Sequence, residues 1–76
     1  MTDDERLEWY EAEAEKAYAA LYDAAHARDF IARYSDAKEG FHSAIAIACL
    51  LGRSEDAQRL EARLAHVKAV FRSQFA

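Results

Sequence analysis

The chain has 76 residues, a net charge of −4, no proline, 2 glycines and 1 cysteine. That length leaves room for a single domain over 1–76, with a core that hides only roughly 60–65% of the unfolded surface. A lone thiol, Cys49, excludes an intrachain disulfide and any paired Cys/His zinc spacing, so stability must come from tight helix packing or from association.

The first predicted element is a helix over about 4–27. Thr2 is its N-cap, and Asp3, Asp4 and Glu5 place negative charge at the positive end of the helix dipole. Its apolar stripe reads Leu7, Tyr10, Ala14, Ala17, Leu21 and Ala24 or Ala25, in steps of three and four. Tyr18 and Tyr22 widen the stripe, and Trp9 falls off it. The stop is weakly marked: Asp29 can cap a second helix, Ser35 is a second possible cap, and the first helix could also run on and kink. A turn near residues 27–30 is the expectation.

The second predicted helix covers about 30–51, with the stripe Phe30, Tyr34, Ala37, Phe41, Ala44 or Ile45, Ala48 and Leu51. Gly52 follows it where a left-handed C-terminal cap belongs. Ser54, with Glu55 and Asp56 in the next turn, is the expected cap of a third helix over about 54–74. That helix carries Ala57, Leu60, Leu64, Val67, Phe71 and Phe75. Short connections make neighbouring helices antiparallel, so the expected fold is an all-α, antiparallel three-helix bundle. Scarce Gly and Pro, with abundant Ala, Glu, Arg and Leu, point the same way.

Tyr34, Ala37, Phe41, Ala44 and Ile45 follow an aromatic–small–aromatic–small–apolar spacing that resembles the second helix of a tetratricopeptide repeat. Leu51-Gly52 and the third helix resemble the start of a next repeat. The first helix lacks the family's Trp/Leu-Gly/Tyr signature at the right distance, and Cys49 stands near the usual proline. The resemblance covers about half the chain and implies a tightly packed helical hairpin, with a peptide-binding role implied less directly. The same spacing arises in any close-packed helical pair, and repeat arrays need about three units for stability.

Charge is unevenly divided. Residues 1–23 sum to −6, residues 24–52 balance, and residues 53–76 sum to +2. The acidic first helix and basic third helix are expected to pair within the fold. The alternative, nucleic-acid binding through Arg59, Arg63 and Arg72, needs a longer basic stripe and a chain that phosphate would not repel. No nucleic-acid partner is expected.

Catalytic constellations and phosphate loops are not visible, so no enzymatic activity is expected. Glu39-x-x-His42 and Asp23-x-x-His26 have di-metal spacing, but a hairpin separates the two histidines by roughly 16 Å. Glu15, Glu39, His42 and His66 fall at one height and form the candidate set for an alternative reading, a ligand- or metal-binding bundle. The expectation is that no metal or cofactor is held.

The run over 44–51, Ala-Ile-Ala-Ile-Ala-Cys-Leu-Leu, has no polar face. Either the first and third helices together wrap it, or another chain covers it. The favoured reading is an interface, most simply a two-fold homodimer, built from Trp9, Tyr22, Ile47 and Leu50. Cys49, in apolar surroundings, is expected to be buried. Acids at the start, no membrane-length apolar run and the unpaired thiol suggest a cytoplasmic adaptor or regulatory protein.

Overall fold

The computed structural model describes residues 1–75; the side chain of Phe75, and with it that position of the third stripe, lies outside the described residues. Three helices follow in order: α1 (Asp3–Ala20), α2 (Ala27–Leu50) and α3 (Ser54–Phe75). No strand occurs among the described residues, and the fold is the expected all-α three-helix bundle.

Thr2 caps α1 as its sequence position suggests. Its hydroxyl accepts from the Glu5 amide at 3.2 Å while the Glu5 carboxylate accepts from the Thr2 amide at 3.2 Å. Glu5 therefore closes a reciprocal capping box as well as serving the dipole.

The helix ends seven residues earlier than expected. A 3-10 turn, Leu21–Asp23, follows Ala20, and Ala24 turns the chain to an extended conformation with ψ 123°. Neither Gly nor Pro enforces this stop. Leu21 is buried in the core, and the helix stops there against the local preference of the alanines around it, which are the best helix formers. His26 then occupies the cap position of α2 without a side-chain bond, and Asp29 lies within the first helical turn instead of capping it.

Gly52 performs as expected. With φ +71° it adopts the left-handed conformation, its amide donates to Cys49 O at 3.1 Å, and the Arg53 amide donates to Ala48 O at 2.9 Å. These two bonds form a Schellman motif. Arg53, not Ser54, stands at the cap of α3, because its carbonyl accepts the first helical bond, from Ala57 at 3.0 Å.

The bundle is flattened, 38 × 23 × 13 Å. α2 is the central helix and packs against both neighbours, whereas α1 and α3 meet mainly through side chains. α1 and α2 approach most closely where Ala14 faces Gly40: a Cβ built on Gly40 would lie 2.8 Å from the Ala14 Cβ. That antiparallel register sets Leu7 level with Ile47 and Trp9 level with Ile45. Tyr34 stacks on Phe71 of α3 at 3.9 Å between centroids, and Phe30 stacks on the same ring at 5.7 Å.

Leu7, Ala14, Tyr18 and Leu21 from α1 and its turn, Ala37, Phe41, Ala44, Ile47 and Ala48 from α2, and Ala57, Leu60, Leu64 and Val67 from α3 form one core. Two expectations fail here. Ile47, read as an interface residue, is 7% exposed and belongs to this core. Cys49, read as buried, is exposed. The first follows from the central position of α2, whose buried arc spans two neighbours instead of one stripe, and Cys49 falls on the side of α2 opposite Gly40, away from that arc.

Candidate interaction surface

Two faces flank α1, and they differ sharply. The first is the seam with α3. Because both helices run in the same direction, partners recur at a sequence offset of 48 or 49. Arg53 reaches Asp4 at 2.6 Å, Arg59 holds both Glu11 oxygens at 2.5 and 3.0 Å, and Arg63 holds Glu15 at 2.8 and 2.9 Å. The ladder continues to Tyr18, whose hydroxyl lies 2.9 Å from His66 Nε2 and 3.0 Å from the Tyr22 hydroxyl.

Arg63 also lies over the Tyr18 ring, 4.7 Å from its centroid. The hydrogen bond to Tyr22, and then burial, raise the Tyr18 phenol above its ordinary value, so it keeps its proton. Bonding to Glu11 and Glu15 pushes the Arg59 and Arg63 guanidinium groups further up. Glu11-x-x-x-Glu15-x-x-Tyr18 and Arg59-x-x-x-Arg63-x-x-His66 share one spacing, the signal by which the seam could have been read in full.

The seam also dissolves the candidate metal layer. Glu15 is occupied by Arg63 and His66 by Tyr18, while Glu39 and His42 are exposed on α2. No group of three or more potential metal ligands exists among the described residues.

These pairs are partly exposed, so each contributes modestly. Replacing Arg63 removes a two-pronged ion pair and a cation–aromatic contact together. Arg63→Gln is expected to cost about 1 kcal/mol, lowering the melting temperature by about 4–8 °C. Thermal unfolding at low and high salt checks this: the difference between wild type and variant should shrink as salt screens the seam.

The second face is the outer side of the α1/α2 hairpin. Trp9, Glu13, Lys16 and Ala20 recur in steps of four, three and four, which puts them on one stripe of α1. Asp36, Ser43 and Leu50 recur in sevens along α2. Glu13, Lys16, Ala17, Ala20, Arg33 and Asp36 line an open groove of about 390 Å³ between the helices. Toward the other end of the same face stand Trp9, 50% exposed, and Leu50, 84% exposed. The Trp9 indole meets the Tyr10 ring edge-on at 5.1 Å.

Tyr22 does not join this face. It stands 13 positions after Trp9, roughly 20 Å along the axis, and its hydroxyl belongs to the seam. Of the four expected interface residues, the structure therefore brings together Trp9 and Leu50 only. The groove itself, between Ala17 and Ala20 of α1 and Arg33 and Asp36 of α2, leaves no periodic mark in the sequence, and neither does the exposure of Ile31 on α2.

No helix among the described residues is long and apolar enough to cross a membrane. In comparisons with family models, with curated proteins and with solved structures, the chain matches none.

Proposed function

We propose that this chain is a non-enzymatic protein–protein interaction module, an adaptor or regulatory subunit of the cytoplasm, that self-associates through the outer face of its α1/α2 hairpin. The observation that carries this reading is the contrast between the two faces of α1. The seam satisfies its charges internally, whereas the outer face leaves Trp9 and Leu50 in solvent at one end and an open groove at the other.

Other features agree with it. Arg59 and Arg63, the core of the nucleic-acid alternative, are neutralised by Glu11 and Glu15. Ala37, Phe41 and Ala44 are fully buried, as a tightly packed helical hairpin requires: small residues admit a close neighbour and the aromatic fills the gap.

Light scattering coupled to size-exclusion chromatography across a dilution series tests the reading. The expected mass is twice the 8.6 kDa of one chain, falling toward one chain on dilution. Leu50→Glu should shift that equilibrium toward monomer while helicity is retained. A wild-type mass of one chain at every concentration overturns self-association.

A further inference from the structure

The outer face carries a projecting ring and a hole that cannot satisfy each other within one chain. Trp9 is the only tryptophan, half exposed and steadied edge-on by Tyr10. The groove begins at Glu13 and is walled on α1 by Ala17 and Ala20, whose short side chains leave it open. Ala17 lies eight residues beyond Trp9, about 12 Å along the helix, too far for the indole to fold into its own groove.

Resting on the self-association proposed above, we infer that the two contacts are reciprocal: Trp9 of each copy seats in the Ala17/Ala20 groove of a second copy. A two-fold axis crossing α1 midway between Glu13 and Lys16, perpendicular to the helix, sets Trp9 of each copy opposite Ala20 of the other and makes the copies of α1 antiparallel.

Charge and size fit this occupant. The groove's charged residues are two acids, Glu13 and Asp36, and two bases, Lys16 and Arg33, so a second copy is not repelled there despite the chain's net −4. Near the axis, Glu13 of one copy comes beside Lys16 of the other, and the reverse pair forms with it. Lys16 and Arg33 at the groove can face the seated ring as cations. About 390 Å³ lies within the range of pockets that enclose a small ligand, and a tryptophan side chain buries roughly 150–250 Å².

The sole tryptophan makes the test direct. On concentration, wild-type emission should shift to the blue over the same range in which the light-scattering mass doubles. Trp9→Ala, a change to a better helix former at a half-exposed site, should keep its helicity and weaken self-association roughly thirtyfold or more. Ala20→Arg fills the hole and should leave Trp9 emission red at concentrations where wild type has shifted. Mixing the two variants restores one of the two contacts, so the mixture should form more dimer than either variant alone.

A wild-type dimer whose tryptophan emission does not move, or a Trp9→Ala variant that dimerises as well as wild type, overturns the seat and leaves self-association standing. A wild type that stays monomeric throughout overturns both.

Discussion

Ile47→Glu is expected to abolish the folded state, while Leu50→Glu, three residues along the same apolar run, leaves it intact. Ile47 is 7% exposed and level with Leu7, in the layer where α2 meets α1. A carboxylate there loses its hydration without a partner, and the apolar packing of the sec-butyl side chain it replaces is lost to the core. The combined cost, more than about 4 kcal/mol, approaches the whole stability of a chain this size, roughly 4–11 kcal/mol. Leu50 is almost wholly in solvent, and an acid in the last turn of α2 costs only about 0.3–1 kcal/mol against the helix dipole. Far-UV circular dichroism with thermal unfolding separates the two. Full helicity and cooperative melting in Ile47→Glu would return that residue to the surface and undo the assignment of the core.

The second large effect is expected at Gly40, and its sign runs against helix propensity. In an open helix Gly→Ala stabilises by about 1 kcal/mol. At Gly40 the added methyl would lie 2.8 Å from the Ala14 Cβ, 3.1 Å from its Cα and 3.3 Å from its backbone nitrogen. Neither a short side chain nor a backbone can swing away, so the helices must separate and loosen Ala37 and Ala44 beside the contact. Net destabilisation of about 1–3 kcal/mol is expected, read as a lower denaturation midpoint. Ala14→Gly combined with Gly40→Ala returns the space and should recover part of the loss, a positive coupling in a double-mutant cycle. A more stable Gly40→Ala would mean the helices are not in close contact there. Gly52 makes a useful contrast: nothing lies within 4 Å of its added Cβ, and only its φ of +71° resists substitution.

The places where sequence and structure part company have physical causes. The Thr2 cap, the Gly52 stop and most of each stripe are local features recovered where the pattern put them, although Leu21 and Ala24 fall beyond the end of α1 and Phe75 lies outside the described residues. The α1/α2 turn is not local. It comes where Leu21 enters the core, and the alanines around it favour helix, so local preference carries the predicted helix past the true stop. The run over 44–51 misled for a related reason. A helix with one neighbour needs one apolar stripe, but α2 has two, with Gly40 on the α1 side and Phe41 and Tyr34 on the side of α3. Its buried arc therefore takes in Ile47 and leaves only Ala46, Cys49 and Leu50 of the run exposed. Charge pairing between α1 and α3 was readable as a balance of sums, though not as a register, because parallel alignment had first to be known. For the outer face, Trp9 was visible as a residue off its stripe, while the groove required knowing that Ala17 and Ala20 of α1 lie across from Arg33 and Asp36 of α2.

The parallel course of α1 and α3 brings the starts of both helices to one pole of the molecule. Asp3, Asp4 and Glu5 open α1, and Glu55 and Asp56 open α3 at the same end. Adding Glu8 and Glu11 there, and setting these seven acids against Arg6, Arg53 and Arg59, places a surplus of four negative charges in that half. This equals the chain's whole net charge of −4, so the opposite half is neutral. The protein is thus a negative head on a body whose charges cancel, and two copies arranged antiparallel hold their heads far apart, while a head-to-head pair would have to bring them together.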